Sequence, residues 1–257
     1  MAEARISACM VLYHSGDEAL RALQCLENSQ EAVKVYVADN SPETGMADKV
    51  RWQFPGIRIL PMKKNVGFGR ANNAVLKEKD LHSEYHLLIN PDVTFEPDLL
   101  TRMLAYMDKN PNCVILTPRV FNEDGTEQFL PKHQPTIRYL MGGRLEKYGE
   151  RFARWRREYT MADEHYTRPI GVEFATGCFL LIRTAAFRRL GGFDERFFLY
   201  QEDTDLSRRA RELGLIVYHP DMCVTHAWKR DNVRSWKGTL HHVVSTFKFF
   251  SKWGFAW

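Results

Sequence analysis

The stretch His86-Leu87-Leu88-Ile89-Asn90-Pro91-Asp92-Val93-Thr94-Phe95 decides the fold, because an apolar run of strand length ends there in a polar tip. A carboxylate at the carboxyl end of a buried parallel strand lies where open α/β sheets bind their ligands. Asp92 can offer oxygen to a hard divalent cation, and such a cation commonly accompanies phosphates. The same residues are equally typical of a Pro-containing turn in which Asn90 and Asp92 make only local hydrogen bonds. This stretch alone supports both interpretations.

The flanking sequence predicts alternating strands and helices. Residues 6–13 and 33–38 are apolar runs of strand length, and between them Leu20, Leu23 and Leu26 recur at helical spacing. This order is typical of a right-handed βαβ unit that opens a parallel sheet. Further strands are predicted over 57–60, 86–89, 113–117, 172–183 and 215–218, with a helix over 97–107. We therefore expect an α/β fold whose nucleotide-binding-like sheet is complete within about the first 120 residues.

Length and composition exclude several classes of protein. A chain of 257 residues with a formal charge of +4 can bury a large core, either as one α/β domain or as a domain with a small appendage. The five cysteines never form a CxxC pair, which argues against a disulfide framework and a structural zinc site and favours a reducing cytosol. The start of the chain lacks the features of a secretory signal, and no apolar run approaches the length of a membrane span.

Polar residues follow two of the predicted strands in the first half. Asp39 ends the second strand, where its carboxylate could accept hydrogen bonds from a nucleobase or a ribose hydroxyl, or could simply form an Asx-turn before Pro42. After the third strand, Asn65-Val66-Gly67-Phe68-Gly69-Arg70 opens a helix. Its glycines permit close approach by a ligand, and Arg70 could meet phosphate charge, although a plain helix entry explains the same residues. The pattern matches neither GxGxxG nor a phosphate-binding Lys-Ser/Thr loop.

Charged residues are unevenly distributed in the second half. A basic and aromatic segment runs from Arg144 to Arg157, as either a substrate-facing segment or a solvated helix. Glu202, Asp203 and Asp205 then stand together at a predicted helix start. Acidic residues are favoured there by capping and by the helix dipole, which accounts for one or two of them. Crowded carboxylates also raise one another's proton affinity, which suits a general base that works near neutral pH.

Several stretches together resemble family 2 glycosyltransferases of the GT-A fold and, within that family, the bacterial rhamnosyltransferase-like branch. The resemblance covers about residues 5 to 230 and is specific because of the order and spacing of its motifs. The matching stretches are Val37-Ala-Asp39-Asn40-Ser41, Asn65-Val-Gly-Phe-Gly-Arg-Ala-Asn72-Asn73, Leu88-Ile-Asn90-Pro91-Asp92, Thr176-Gly177-Cys-Phe-Leu-Leu-Ile-Arg183, Gly191-Gly192-Phe193-Asp194-Glu195 and Phe198-Leu-Tyr-Gln-Glu202-Asp203-Thr-Asp205-Leu206.

The resemblance implies a GT-A sheet, mixed but mainly parallel and flanked by helices, that binds a nucleotide-sugar donor. Asp39 would contact the base, and the donor pocket would be shaped by Asn65, Gly67, Arg70 and Gly177. Residues 1–230 would form the glycosyltransferase domain, with a nucleotide-sugar-binding half over 1–120 and an acceptor and catalytic half over 121–230.

The resemblance also implies a metal and a base. Asn90 and Asp92 stand in the place of the family's Asp-x-Asp motif, which binds Mg²⁺ or Mn²⁺ on the donor diphosphate, and His226 matches a histidine that completes the metal shell. Asp203, next to Glu202, would be the general base of a single inverting displacement. Because Asn90 replaces an acid of the motif, only Asp92 and His226 are carried over as metal ligands, and Asn90 is placed with the donor, where it could instead bond the ribose.

The same resemblance implies dTDP-L-rhamnose as the donor and a glycan or polyprenyl-diphosphate-linked acceptor; the residues themselves leave UDP- and GDP-sugars open. Residues 231–257 are predicted to form an amphipathic helical tail in which Leu240, Val243, Val244, Phe247 and Phe250 make one apolar stripe. A basic, aromatic amphipathic helix is typical of attachment to an anionic membrane surface, which would place the protein on the inner face of the cell membrane. Packing on the catalytic domain or a homodimer contact are the alternatives.

Three other functions are less well supported. A sugar nucleotidyltransferase is expected to carry a Gly-rich, Arg-containing loop after the first strand, where this chain has Tyr13-His14-Ser15-Gly16-Asp17. A non-enzymatic glycan-binding module would have no use for Asp92 together with Glu202 and Asp203. The basic residues permit weak contact with nucleic acid, but no nucleic-acid-binding motif is present, so no nucleic-acid partner is expected.

Overall fold

A mixed β-sheet organises the chain in this computed structural model, which describes residues 4–164, 166–227 and 236–257. Its strands are β1 (Ile6–Leu12), β2 (Val33–Asp39), β3 (Arg58–Pro61), β4 (Tyr85–Ile89), β5 (Val93–Phe95), β6 (Cys113–Phe121), β7 (Ile170–Gly171), β8 (Phe179–Arg183) and β9 (Leu215–His226). The α-helices are α1 (Glu18–Glu27), α2 (Met46–Gln53), α3 (Phe68–Asn73), α4 (Leu99–Lys109), α5 (Ile137–Leu145), α6 (Glu150–Thr160), α7 (Thr184–Arg189), α8 (Glu202–Ala210) and α9 (Trp236–Trp253).

The strand order is β3-β2-β1-β4-β8-β6-β9-β5, with β7 beside β9. The first four strands are parallel, as their βαβ pattern predicts. Strand β8 is antiparallel to both β4 and β6, while β6 and β9 are parallel and β5 pairs antiparallel with β9. The carboxyl ends of β1, β2 and β4 therefore meet the start of β8 at one edge of the sheet.

Three expectations about the strands are wrong. The sheet is not complete within the first 120 residues, because β8 separates β4 from β6. The strand predicted from Val172 begins only at Phe179, since the Thr176-Gly177 interruption turns the preceding segment aside into the loop that carries Gly177. The strand predicted to end at Tyr218 continues through Pro220 to His226, and a shift in its register with β6 lies beside that proline.

The core lies in two layers, one on each face of the sheet. One layer packs α1 and α4 against the sheet, and the other packs α3, α7 and α8 against the opposite face. Every residue of β1 is buried, which explains why that strand reads as a continuous apolar run rather than an alternating one. Whether 1–120 and 121–230 divide the binding of donor and acceptor stays a prediction.

Helix α9 packs on the rest of the described chain through a face that holds only Phe250 of its predicted stripe. Phe249 and Phe250 are buried against Phe197, and Ser245 Oγ donates to the Leu199 carbonyl over 2.7 Å. Phe250 thus leaves the stripe, whereas its other members, Leu240, Val243, Val244 and Phe247, are exposed. Residues 231–235 of the predicted tail lie outside the described residues.

A buried carboxylate fastens α9 to α8. Asp205, whose side chain is 0% exposed, accepts hydrogen bonds from Arg209 Nε at 2.8 Å, Lys252 Nζ at 2.6 Å and Trp253 Nε1 at 2.8 Å. Lys252 Nζ also lies 2.8 Å from Asp194 Oδ2. Because these charges are withdrawn from water, each depends on the others for its stabilisation. Asp205 therefore has a structural role, which separates it from its neighbours Glu202 and Asp203.

We predict that Asp205→Ala lowers the free energy of unfolding by about 3 kcal/mol, since it leaves Arg209 and Lys252 without their buried counter-charge. Urea unfolding of the full chain measures this change. Asp48→Ala is the matched control, because its pair with Arg51 is largely exposed and should contribute less than about 0.5 kcal/mol. Equal midpoints and slopes for the Asp205 and Asp48 variants would show that the buried network contributes nothing.

Candidate active site

Asp92 and His226 are brought together by the pairing of β5 with β9. Val93 is in register with His226, and the Ala227 amide donates to the Asp92 carbonyl over 3.0 Å. The side chains converge as a result, with Asp92 Oδ1 3.3 Å from His226 Nε2. His226 lies 134 positions after Asp92 in the sequence. Long-range strand pairing thus makes this pair.

The second ring nitrogen of His226 is held by Gln128. Gln128 Nε2 donates to Asn122 Oδ1 and to the His226 carbonyl, both over 2.8 Å, which fixes the orientation of the amide. Its Oε1 then lies 3.0 Å from His226 Nδ1 and accepts a hydrogen bond from that nitrogen. Nε2 is the ring nitrogen that faces Asp92 and is placed to bind a metal, as in metal-ligating histidines whose other nitrogen is hydrogen-bonded.

This donor set fits a hard divalent cation. A carboxylate oxygen and an imidazole nitrogen that converge within 3.3 Å suit Mg²⁺ or Mn²⁺, which also take oxygen ligands from phosphates and water. Within the described parts of the chain, no group of three or more His, Cys, Asp and Glu side chains could hold a metal ion. Asp92 and His226 can therefore supply two ligands, and the others must come from elsewhere.

The backbone of Asn90 forms the turn that its sequence suggested. Its amide donates to the Cys178 carbonyl over 2.8 Å, and its own carbonyl accepts the Val93 amide over 3.3 Å, which closes a turn. The turn interpretation is therefore correct for the backbone. It does not compete with a site, because the turn is what places the Asp92 side chain in front of His226.

The Asn90–Cys178 contact also brings Gly177 to the same edge of the sheet. The Gly177 amide donates to Asp203 Oδ2 over 3.0 Å, and the Thr204 amide donates to Oδ1 over 2.8 Å. A Cβ at position 177 would lie 3.3 Å from Asp203 Cβ and 3.5 Å from Phe68 Cε1, so glycine permits this close approach. Both oxygens of Asp203 are thereby fixed in orientation.

The adjacent acids Glu202 and Asp203 differ in how their charge is supported. Burial raises the pKa of Asp203, but the Gly177 hydrogen bond and the charge of Lys132 oppose that rise. Burial and the neighbouring Asp203 raise the pKa of Glu202 well above its ordinary value. Glu202 Oε2 is buried and has no hydrogen-bond partner among the described residues. We infer that Glu202 holds the proton and that Asp203 carries the charge, as a general base requires.

Cys178 connects the two halves of the site. Its thiol is buried, and burial together with the negative charges of Asp92 and Asp203 raises its pKa to about 12. The charges of Asp92 and Asp203 therefore both reach the Cys178 thiol, directly before β8. The structure thus groups Asp92, His226, Gly177 and Asp203, although they come from four separate parts of the sequence.

Asp39 and Asn65 lie at the neighbouring strand ends. Asp39 is buried at the end of β2, and burial raises its pKa although the Ser41 amide donates to Oδ1 over 3.3 Å. Asn65 Oδ1 accepts hydrogen bonds from Asn40 Nδ2 and from the Gly67 amide, both over 2.9 Å. Asn65 therefore shapes the loop before α3 through its own contacts. Asp39 can form the Asx-turn through its hydrogen bond from the Ser41 amide and still accept a hydrogen bond from a nucleobase.

Gly67 and Arg70 occupy the start of α3. Gly67 has φ +89°, and a Cβ there would lie 2.3 Å from the Phe198 carbonyl, so only glycine fits. The next amide, of Phe68, donates to that carbonyl over 3.1 Å and ties this loop to the one before Glu202. Arg70 is exposed and pairs with Glu195 over 2.8 Å, so its contact in this structure is a carboxylate.

Sequence reasoning missed several residues of the site. Gln128 and Lys132 belong to no motif recognised in the sequence, and the Phe198 backbone carbonyl leaves no signal in residue type. Asn40 stood inside a quoted motif, directly after Asp39, and could have been found there. Gln128 follows the turn at 122–125, where a polar residue has no distinguishing pattern.

Comparison with known proteins identifies the family. The family described as "Glycosyl transferase family 2" matches residues 7–191, which is more than half of the chain. The chain belongs to glycosyl transferase family 2. It is 30% identical over 230 residues to the N-acetylglucosaminyl-diphospho-decaprenol L-rhamnosyltransferase of Mycobacterium tuberculosis, with 84% of this chain and 74% of that protein covered. It is 25% identical over 252 residues to the rhamnosyltransferase WbbL of Escherichia coli, with 95% and 92% covered.

Solved structures support the fold. The mannosyltransferase PcManGT of Pyrobaculum calidifontis, in complex with GDP-Man and Mn²⁺, superposes with a TM-score of 0.61 at 14% identity and covers 96% of this chain. TarS of S. aureus, residues 1–349, gives a TM-score of 0.57 at 15% identity over 86% of this chain. This chain spans 65% and 60% of those two solved chains. The predicted α/β GT-A fold and the predicted glycosyltransferase activity are confirmed.

We predict that Gln128→Leu weakens Mn²⁺ binding about 10- to 100-fold, because His226 loses the acceptor that sets its tautomer and ring orientation. Titration by electron paramagnetic resonance, with a nucleoside diphosphate present, measures free Mn²⁺ directly. Gln24→Leu is the control, since that amide contacts only Glu27 and Asn28 on an exposed helix face. Unchanged Mn²⁺ affinity in the Gln128 variant would refute the role of His226 as a ligand.

Proposed function

We propose that this glycosyltransferase moves L-rhamnose from dTDP-L-rhamnose to a hydroxyl of a lipid-linked cell-surface polysaccharide intermediate, with inversion at the anomeric carbon. The observation that carries the proposal is the fixed carboxylate of Asp203, on the same edge of the sheet as Asp92 and His226. The rhamnosyltransferases similar to this chain support rhamnose as the transferred sugar and, in the mycobacterial case, a diphospho-decaprenol acceptor. UDP- and GDP-sugars are the competing donors.

The proposed reaction is a direct displacement. Asp203 takes the proton of the acceptor hydroxyl as the acceptor oxygen forms a bond to the anomeric carbon of the donor. The bond from that carbon to the nucleoside diphosphate breaks, and its electron pair leaves with the phosphate oxygen. Asp92 and His226 would hold Mg²⁺ or Mn²⁺, which when bound neutralises charge on the leaving diphosphate. Asp39 would accept hydrogen bonds from the nucleobase or ribose at the opposite end of the donor.

The roles of Glu202 and Asp203 follow from their different charge states. Glu202 keeps its proton and so limits the like charge beside the base. Asp203 stays ionised because two backbone amides donate to it. A base of this kind combines a raised pKa with fixed geometry, and both properties favour proton transfer near neutral pH.

We predict that Asp203→Asn lowers the rate of rhamnose transfer by at least about 100-fold while the Kd for dTDP-L-rhamnose stays within about twofold, because the amide keeps the shape but cannot accept the proton. In the wild-type protein, activity should fall as the pH is lowered through the raised pKa of Asp203, so the acidic limb should lie above the ordinary aspartate range. Initial rates from pH 4 to 9 test this. Asp48→Asn is the control, and undiminished turnover by the Asp203 variant would exclude it as the base.

We also propose that the exposed part of α9 attaches the protein to the inner face of the cell membrane. Leu240, Val243, Val244 and Phe247 are between 41% and 64% exposed, and together they form an apolar surface, which we call the α9 stripe. None of the helices that the structure describes is long and apolar enough to cross a bilayer. Large apolar side chains on one helix face support insertion into the interface of a lipid bilayer.

We predict that Leu240→Ser with Phe247→Ser lowers partitioning onto anionic liposomes at least about tenfold, since each large side chain contributes about 1.5 to 3 kcal/mol when it leaves water. Sedimentation with phosphatidylglycerol vesicles measures the bound fraction. Trp52→Ser is the matched control, because Trp52 is 87% exposed on α2. Equal sedimentation of wild type and double variant would contradict attachment, and conversion of a dimer to a monomer would instead make the α9 stripe a homodimer contact.

A further inference from the structure

A cluster of basic side chains lies beside Asp203, outside the groups used so far. Lys132 lies in the segment before α5, and its backbone amide donates to the Phe174 carbonyl over 3.4 Å. Phe174 is three residues before Gly177, whose amide contacts Asp203. Lys132 Nζ lies 5.2 Å from the centre of the Phe174 ring and 5.9 Å from that of Tyr159. These contacts direct a cation between two aromatic rings next to the base.

Three helices, α5, α6 and α9, bring further basic residues to this place. Arg156 on α6 lies against the last turn of α5, because a Cβ built at Gly143 would lie 3.5 Å from Arg156 Nη1. Arg144 follows Gly143 in the same turn of α5. On α9, the His242 ring lies 5.4 Å from that of Tyr200, which closely precedes Asp203. Three helices and one extended segment therefore converge here, and we call Lys132, Arg144, Arg156 and His242 the basic cluster.

The members of the basic cluster act on one another. Burial and the charge of Arg156 lower the pKa of Lys132 to about 8, although Asp203 opposes the change. Burial, Arg144 and Lys132 together lower the pKa of His242. Such mutual repulsion is unfavourable unless an anion is bound.

Lys132, Arg144 and Arg156 form no ion pair with any residue in the described ranges, 4–164, 166–227 and 236–257. Their neighbours on α6 do: Arg154 pairs with Glu158, and Arg157 pairs with Glu150 and Asp163. The ionised Asp203 supplies only one negative charge. The basic cluster therefore has the composition of an anion site, and arginine and lysine together are the usual partners of phosphate groups.

We propose that the basic cluster binds the diphosphate of a prenyl-diphosphate-linked acceptor, at a site separate from that of the donor diphosphate. The assignment rests on the proposed function, because it names the charged part of the acceptor. The position of His242 favours a prenyl diphosphate over a free phosphate: its neighbours Val243 and Val244 belong to the exposed α9 stripe, along which an apolar chain can lie. A sugar joined to the bound diphosphate then lies next to Asp203.

The test is binding of farnesyl diphosphate to the full chain, measured by isothermal titration calorimetry with dTDP and Mg²⁺ present. We expect Lys132→Met with Arg156→Gln to weaken binding at least about tenfold, because two charged contacts are lost. Lys49→Met with Arg154→Gln is the matched control, since both residues are exposed and lie away from the base. Lys132→Arg should bind as the wild type does, which separates lost charge from a folding defect.

Three results would overturn the site. The first is equal binding of farnesyl diphosphate by the double variant and the control. The second is loss of farnesyl diphosphate binding in Asp92→Asn but not in the double variant. The third is a double variant that no longer binds phosphatidylglycerol vesicles but still binds farnesyl diphosphate. Transfer kinetics separate this failure from failure of the proposed function. An unchanged KM of the double variant for a diphosphate-linked acceptor, with transfer intact, contradicts the site alone. Tight, cluster-dependent binding without rhamnose transfer from dTDP-L-rhamnose contradicts the proposed donor and leaves the site standing.

Discussion

The hydrogen bond from the Asn90 amide to the Cys178 carbonyl is the contact on which the site depends. It joins the end of β4 to the start of β8, which runs antiparallel between β4 and β6. On one side it fixes the turn that presents Asp92 to His226, and on the other it places Gly177 against Asp203. Asp203, the proposed base, and Asp92 and His226, the proposed metal ligands, are thus held at the same edge of one sheet.

Burial raises the pKa of the acids at this edge of the sheet, and it also makes their ionised forms unfavourable. Two adjacent acids withdrawn from water cannot both ionise easily, and the structure resolves this by giving hydrogen bonds to Asp203 and none to Glu202 Oε2 among the described residues. The third acid, Asp205, is supported differently, by Arg209, Lys252 and Trp253. Because Lys252 and Trp253 belong to α9, the helix that bears the α9 stripe also braces the helix that bears the base.

Local sequence patterns predict much of this arrangement. The apolar runs before Asp39 and Asn90 predict parallel strands, and the motifs around Asp92 and Asp203 contain acids that the structure brings to one edge of the sheet. The position of β8 could not be predicted, because its antiparallel pairing with β4 joins residues at least ninety positions apart. Gln128 and Lys132 could not be predicted either, since each acquires its role only from the strand or ring that folds beside it. The predicted stripe on α9 is interrupted at Phe250, because the helix also packs on the domain.

The central claim is that Asp203 acts as a base in one direct displacement, without a covalent sugar–enzyme intermediate. The configuration of the anomeric carbon tests this most directly, and the one-bond carbon–hydrogen coupling in nuclear magnetic resonance spectra reports it for both donor and product. The account predicts opposite anomeric configurations in dTDP-L-rhamnose and in the rhamnosylated product. The same configuration in both would contradict it, because retention requires a second displacement for which Asp203 as a base provides no nucleophile.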